Sequence, residues 1–247
     1  MVRAGRRRAS IFDDLPGGRL LDIPGGSGEH ARALIAGGHH VVSVDLFTAG
    51  YRGGGTIVQA DANQTLPFRD GSFDYVLSRE GIEHLENQLG FVRECRRVIR
   101  AGGTIVITTP NTIHLSARFS QFLTGQRSLH RGLINEEQSL RASRDGRFYH
   151  GHVFLLDYFR LRYMLRVAGF DAIEVFTDRY SPTSVGLAPF ALAIRMSMRY
   201  AVWQSAAAHR RRKRRIATRA TIDEIIGHVS SAALLFGKRM IIRAVAV

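Results

Sequence analysis

The sequence predicts an α/β protein with a doubly wound, mostly parallel sheet of seven strands and two helical insertions. Strand-like and helix-like segments alternate along most of the 247 residues, a pattern that is typical of parallel sheets. The strand-like segment "HVVSVDL" at 40–46 is apolar enough to be buried on both faces, as a sheet covered by helices requires. The chain is long enough for one sizeable core, and we expect a single domain over residues 1–247.

The first half of the chain supplies four of the strands and two helices. The first helix carries Ala31, Leu34 and Ile35 on one face and ends at a glycine pair. The second helix has Leu85 and Leu89 at helical spacing and also ends at glycines. The predicted strands are 19–24, 40–46, 55–61 and 72–78, and the predicted helices are 28–38 and 84–103.

The second half continues the alternation but interrupts it twice. Residues 111–151 are too many for an ordinary connection, and we predict a helical cover or substrate lid there. Residues 181–221 form the second insertion, a basic amphipathic segment. The remaining elements are strands at 103–110, 171–178 and 237–247 and a helix at 157–170, so that the predicted core is 15–110, 152–180 and 237–247.

The charge balance and the single cysteine restrict the setting. The net charge is +14, and much of it lies in arginine-rich runs at 3–8 and 209–215. Such an excess favours an acidic partner (nucleic acid, anionic lipid or a phosphorylated substrate) or a solvated basic face. Cys95 alone forms neither an internal disulfide nor a cysteine-rich metal site, and no metal ligand set is predicted. No stretch has the ~20 apolar residues of a membrane span, and no signal-peptide core is visible, so we expect a cytoplasmic protein.

The stretch "LLDIPGGSGEHARAL" at 20–34 has the form of a strand, a glycine turn and a helix, which is typical of a nucleotide-like ligand site. Gly26, Gly28 and Ala31 match the spacing of a dinucleotide fingerprint, with Asp45 placed to bind a ribose, so an NAD-type oxidoreductase stays open. However, Asp22 precedes the turn, and its carboxylate would repel two phosphates. It favours a ligand with a cationic centre and an ammonium group, such as S-adenosylmethionine.

Five motifs in order resemble those of class I S-adenosylmethionine-dependent methyltransferases, of the small-molecule group that includes quinone and glycolipid methyltransferases. The resemblance covers about residues 19–178 and implies a Rossmann-like sheet and S-adenosyl-L-methionine as cofactor. The motifs are "LLDIPGGSGEH", "VVSVDL", "QADANQTLPFRDGSFDYVLSREGIEHLEN", "VIRAGGTIVITTPN" and "GHVFLLDYFRLRYMLRVAGF".

The resemblance also implies the roles of individual residues. Asp22 and the glycine turn would surround the methionine part of the cofactor, Asp45 would take both ribose hydroxyls, and Asp61 would bind the adenine amino group. One departure is Pro24, which stands where the family commonly has its first glycine, and proline lacks the N–H of that position. The predicted cofactor-binding residues are Asp22, Pro24, Gly25, Gly26, Gly28, Asp45, Leu46, Asp61, Ala62 and Ser78.

Candidate catalytic residues follow the fourth strand. If the acceptor is a hydroxyl, a general base helps, and His84 is the first candidate because an imidazole accepts protons near neutral pH. Glu80 is the second candidate. The alternative is that Glu83 and His84 cap and charge the start of the next helix. His150 and His152 are further candidates, for substrate binding. The family often has a histidine at the position of His152, where a structural role is the alternative.

Residues 190–215 bear on the nature of the methyl acceptor. They combine Phe190, Met198 and Trp203 with a basic run. This combination suits an anionic membrane surface, and it predicts a peripheral protein at the inner face of the membrane that O-methylates a glycan, lipid or lipid-linked small molecule. It also suits a nucleic-acid backbone or an ordinary helix packed on the sheet. A nucleic-acid methyltransferase, an NAD-dependent oxidoreductase and a catalytically silent binding module are the alternatives.

Overall fold

The computed structural model describes residues 15–127, 139–142, 148–211 and 218–247. Its strands are β1 (Arg19–Asp22), β2 (His40–Asp45), β3 (Thr56–Gln59), β4 (Phe73–Arg79), β5 (Ile99–Pro110), β6 (Leu140–Ala142), β7 (Phe148–His150), β8 (Phe170–Phe176) and β9 (Arg239–Ala246). Its α-helices are α1 (Glu29–Ala36), α2 (Gln88–Val98), α3 (Leu115–Thr124), α4 (Tyr158–Ala168), α5 (Pro182–Gly186), α6 (Ala191–Arg211), α7 (Arg219–Val229) and α8 (Ala232–Phe236). Short 3₁₀ turns lie at Ile82–His84 and Ala188–Phe190.

Seven of the strands form one sheet in the order β3-β2-β1-β4-β5-β9-β8. The pairs β1–β2, β1–β4, β2–β3 and β4–β5 are parallel, which confirms the predicted fold class. Strand order reverses between β1 and β4, and ligands of open α/β sheets bind at the carboxyl ends of strands at such a point. The remaining strands, β6 and β7, form a separate antiparallel pair.

The chain divides into two compact units. Unit 1 comprises the described residues of Met1–Thr109, Ile134–Glu174 and Ile241–Val247, and unit 2 those of Pro110–Leu133 and Val175–Met240. The core of unit 1 lies around β1, whose apolar side chains are fully buried, as a central parallel strand requires. This core contains Leu20, Ala31, Leu34, Val41, Tyr75, Leu77, Val106 and Ile241.

The segment 84–103, predicted as one helix, is a 3₁₀ turn, a shorter helix and the start of a strand. Asn87 is the N-cap of α2, and its side-chain oxygen accepts a hydrogen bond from the Gly90 N–H at 3.0 Å. Strand β5 begins at Ile99 rather than at residue 103, because Ile99 pairs with Phe73 before the chain loops out at Gly102, where φ is +74°. Helical spacing of apolar residues therefore extended the prediction too far.

Unit 2 contains α3, α5, α6, α7 and α8. Asn111, fully buried, donates from its amide to the backbone carbonyls of Leu234 and Gly237 at 3.0 and 2.8 Å, which joins the start of this unit to the end of α8. The part of the chain that the structure describes holds no helix that is long and apolar enough to cross a bilayer. The basic run at 3–8 and most of the one at 209–215 lie outside the described residues, so their predicted contacts stay predictions.

Candidate cofactor and acceptor site

The turn after β1 depends on glycine. Gly26 and Gly28 both have positive φ, +52° and +78°, and the Gly28 N–H bonds to the Gly25 carbonyl at 2.9 Å. A Cβ atom at Gly28 would lie 2.4 Å from the Cα of Gly53, whereas one at Gly26 would meet nothing within 4 Å. The backbone of a neighbouring loop therefore excludes any side chain at Gly28.

We expect Gly28→Ala to disrupt the turn and Gly26→Ala to be tolerated at a cost of about 1 kcal/mol, the strain of a side chain at positive φ. Gly28→Ala adds a backbone clash to that strain, and Gly53 cannot move away as a flexible side chain would. Thermal unfolding of the two proteins checks this, since they carry the same chemical change in one turn. Equal melting temperatures would contradict the packing described for Gly28.

Asp45 joins the end of β2 to this turn. Its Oδ2 accepts a hydrogen bond from the Gly26 N–H at 2.8 Å, and its Oδ1 accepts one from the Phe47 N–H at 2.8 Å. Each carboxylate oxygen has a second lone pair, so the pair of oxygens can still accept from two hydroxyls of a cis-diol. The backbone therefore fixes the orientation in which Asp45 would receive a ribose.

Asp61 is held in a similar way after β3. Its Oδ1 accepts from the backbone N–H and the side-chain amide of Asn63, at 2.8 and 3.1 Å. The side-chain oxygen of Asn63 in turn accepts from the Asn87 N–H at 3.1 Å, at the N-cap of α2. Asn63 thus ties the predicted adenine-binding carboxylate to the helix start.

Asp22 is a buried carboxyl at the end of β1, with 2% of its surface exposed. Burial raises its pKa to about 7, and the Arg79 charge and a hydrogen bond from Ser43 counteract this only partly. Among the described residues, Asp22 Oδ2 and the fully buried Ser78 hydroxyl have no hydrogen-bond partner. Two such polar atoms, on the adjacent strands β1 and β4, fit the ammonium and carboxylate of a methionine-like ligand.

A cavity of about 410 Å³ lies beside these strand ends, within unit 1. Of the predicted site residues, the structure brings Pro24, Asp45, Leu46, Asp61, Ala62, His84 and His150 together on its wall. Asp22, Gly25, Gly26, Gly28, Ser78, Glu80 and His152 do not line it. Two further wall residues, Phe47 and Asn63, are predictable from their places beside Leu46 and Ala62. The other wall residues that the sequence did not predict are Ile23, Val44, Ala60, Gly81, Leu85, Glu86 and Phe91.

His84 lies in the 3₁₀ turn after β4 and reaches the cavity wall. Its Nδ1 lies 2.5 Å from the backbone carbonyl oxygen of His150, which can only accept, so Nδ1 carries a proton and Nε2 is the acceptor in the neutral ring. The His150 Nε2 pairs with Glu86 Oε1 at 2.7 Å. The ring of His152 lies 5.0 Å from that of His84, at an angle of 57°.

The glutamates near His84 have different surroundings. Glu80 follows β4 at a positive φ of 46°, and its N–H donates to the Thr108 carbonyl at 2.9 Å. Glu83 is fully buried, and its Oε2 accepts from the Thr109 hydroxyl at 3.0 Å. Neither residue caps α2, whose N-cap is Asn87.

Part of the chain is similar to known methyltransferases. Residues 21–107 match the model of a methyltransferase domain family. A probable S-adenosylmethionine-dependent methyltransferase of Mycobacterium tuberculosis is 45% identical over 60 residues, which are 24% of this chain and 22% of that protein. The demethylmenaquinone methyltransferase of Beutenbergia cavernae is 35% identical over 114 residues, 43% of this chain and 47% of that protein. The matches thus span less than half of these relatives.

Solved structures of methyltransferases share the fold. A methyltransferase crystal structure from Archaeoglobus fulgidus matches with a TM-score of 0.54 at 18% identity, over 93% of this chain and 86% of that one. One from Mesorhizobium loti matches with a TM-score of 0.51 at 16% identity, over 94% of each chain.

The chain thus has the fold of solved methyltransferases, and residues 21–107 match a methyltransferase domain. The chain is similar to S-adenosylmethionine-dependent methyltransferases, the class that its motifs resemble. S-adenosyl-L-methionine is the cofactor of this class, and the carboxylates at the ends of β1, β2 and β3 fit it.

Proposed function

We propose that this chain is an S-adenosylmethionine-dependent methyltransferase that O-methylates a glycan, lipid or lipid-linked small molecule at a membrane surface. The observation that carries the proposal is the shared cavity, whose wall includes Asp45 and Asp61 together with His84. The cofactor supplies a methyl group activated by a sulfonium. The task left to the protein is to position the acceptor and exclude water.

The site residues divide between a cofactor part and an acceptor part of the cavity. Asp45 takes the ribose hydroxyls and Asp61 the adenine amino group, while Leu46 and Ala62 supply apolar contacts beside the ring. Asp22, buried behind the turn, supplies the carboxyl group that faces the ammonium, whose positive charge favours the ionised form of Asp22. His84, with its Nε2 as acceptor, takes the proton of an acceptor hydroxyl.

The lipid-linked acceptor is supported by two observations. Curated relatives include demethylmenaquinone and ubiquinone-biosynthesis methyltransferases, the latter from Xanthomonas campestris at 31% identity over 107 residues. The second observation is an apolar stripe along α6, formed by Leu192, Met196, Tyr200 and Trp203, which are 58–66% exposed. These residues recur every three or four positions and so share one side of the helix, as in helices that lie on a membrane surface.

We expect His84→Ala to slow methyl transfer about 10²- to 10⁴-fold, the usual contribution of a general base. The affinity for S-adenosylhomocysteine should change by no more than a few fold, because His84 lies at the acceptor part of the cavity. Formation of S-adenosylhomocysteine is measured with S-adenosylmethionine and a panel of acceptors: a short-chain demethylmenaquinol, a prenylated catechol and a lipid-linked sugar. The exposed His40→Ala is the matched control. An active His84→Ala protein would contradict the role of His84, and no transfer to any member would contradict the acceptor class.

We expect the protein to sediment with vesicles that contain phosphatidylglycerol and not with vesicles of phosphatidylcholine alone. Arg195 and Arg199, both exposed, flank the apolar stripe and add attraction to anionic lipid. Replacing Leu192, Met196 and Trp203 together by serine should abolish sedimentation. Phe122→Ser, which removes an 85% exposed aromatic side chain from α3, is the control. Vesicle binding that is unchanged in the triple variant, or tight and steeply salt-dependent RNA binding instead, would overturn the membrane proposal.

A further inference from the structure

We infer that Glu83, His84 and His152 form a binding site for a divalent transition-metal ion beside the cavity. Each residue offers one ligand atom, and these atoms all lie within 4.8 Å of one another. Glu83 is fully buried and both histidines are half-buried, so water competes little for the position. The sequence alone does not predict this metal site, because its ligands come from two segments that are far apart in the chain.

The separation of the ligand atoms is close to that of a formed site. Ligand atoms at ~2.1 Å from one ion are at most ~4.2 Å apart. Side-chain movements of less than about one ångström therefore close Glu83, His84 and His152 around an ion. No backbone rearrangement is required.

Hydrogen bonds hold the two ligand-bearing segments together. The Phe154 N–H donates to the Glu83 carbonyl at 3.2 Å. The side-chain amide of Gln88 donates to the carbonyls of Ile82 and Phe154, at 2.9 and 2.6 Å. The 3₁₀ turn that carries Glu83 and His84 is thus fixed against the segment that follows His152.

The surroundings of the ligands also favour a cation. The bond from His84 Nδ1 to the His150 carbonyl directs the lone pair of Nε2 away from that carbonyl, and such a bond commonly orients metal-ligating histidines. The Thr109 hydroxyl orients the Glu83 carboxylate in the same manner. A carboxylate with no exposed surface is costly to bury, and a bound cation offsets that cost.

The ligand set points to the chemical class of the ion. Two imidazoles and one carboxylate suit Zn²⁺, Fe²⁺ or Mn²⁺, whereas Mg²⁺ and Ca²⁺ prefer oxygen ligands. Three protein ligands leave positions open for water or a substrate oxygen. Because His84 lines the cavity, these open positions adjoin it.

A role for this ion in the reaction rests on the proposed function. An acceptor hydroxyl bound to the ion would lose its proton to water, and its oxygen would form the new bond to the methyl carbon. The bond from that carbon to sulfur breaks, and the sulfonium becomes a neutral thioether. In the cation-bound protein His84 is a ligand rather than the base, and acceptors with two neighbouring oxygens, such as catechols and hydroxyquinols, are the favoured class.

The test is titration of the chelator-treated full chain with Co²⁺, followed by the visible absorption that this ion gains on binding nitrogen ligands. We expect saturation at one Co²⁺ per chain, displacement by Zn²⁺, and at least a tenfold weaker affinity in both His152→Ala and Glu83→Gln. The exposed His40→Ala should bind Co²⁺ as the original chain does. Glu83→Gln preserves the size of the buried side chain, and His152 is only half-buried, so the two variants differ in their risk to folding.

Absence of a Co²⁺ spectrum in the original chain would overturn the proposal, as would equal affinity in either variant. S-adenosylhomocysteine affinity and melting temperature are measured on the same samples without metal. Retained S-adenosylhomocysteine binding with no Co²⁺ binding would refute the metal site alone. Failure of the original chain to bind S-adenosylhomocysteine would refute the proposed function, whereas the Co²⁺ titration alone decides the metal site.

Discussion

Asp45→Ala is expected to weaken S-adenosylhomocysteine binding by roughly 100-fold or more. Hydrogen bonds to a charged group contribute about 1.5–3 kcal/mol each. Two such bonds to a ribose diol therefore contribute at least the free energy that corresponds to a 100-fold change in the dissociation constant. The substitution also removes the oxygens that accept from the Gly26 and Phe47 N–H groups, so the turn and the cavity wall lose their common anchor.

Calorimetric titration of Asp45→Ala with S-adenosylhomocysteine measures this effect. Asp45→Asn is expected to lie between the alanine variant and the original chain, because an amide keeps one acceptor oxygen and loses the charge. Asp223→Ala serves as the control, since Asp223 is exposed on α7 and its carboxylate lies 3.9 Å from the Arg219 guanidinium. An unchanged dissociation constant in Asp45→Ala would show that the carboxylate does not bind the ligand.

Asp22→Asn is expected to remove a pH-dependent change of about 4 kcal/mol in the free energy of unfolding. This is the free energy that corresponds to raising the pKa of the Asp22 carboxyl from 3.8 to about 7. Between these values the folded protein keeps the proton on Asp22 and the unfolded chain has lost it. The contribution of Asp22 to the free energy of unfolding therefore falls as the pH rises from about 4 to about 7, and is constant above. Asparagine has no such titration.

Denaturant unfolding of the original and Asp22→Asn chains, both without ligand, tests this at about pH 5 and about pH 8. The stability of the variant relative to the original should be greater at the higher pH. Comparing the two chains at each pH removes the contribution of the other titrating groups. A difference in stability that is the same at both pH values would mean that Asp22 is ionised throughout and that its burial does not raise the pKa.

Local patterns in the sequence were sufficient to predict the sheet and the carboxylates at its strand ends. Asp45 ends β2 and Asp61 closely follows β3, and parallel strands bring their carboxyl ends to one edge. Element boundaries were less predictable, because Ile99 satisfies helical spacing but is held in β5 by pairing with Phe73. That pairing depends on a distant segment of the chain.

Contacts between segments that are distant in the chain could not be predicted from the sequence. His84 and His150 are separated by 66 positions, and only the fold shows that the carbonyl of His150 fixes the tautomer of His84. The closeness of Glu83, His84 and His152 has the same origin. The link from Asn63 to the N-cap of α2 likewise joins residues that are 24 positions apart.

The measurement that tests the central claim most directly is calorimetric titration of the purified chain with S-adenosylhomocysteine, with NAD titrated in parallel. The carboxylates at the ends of β1, β2 and β3 predict saturable binding of S-adenosylhomocysteine and no binding of NAD, whose phosphates Asp22 would repel. Binding of NAD, or of neither compound, would contradict the assignment of this cavity to S-adenosylmethionine.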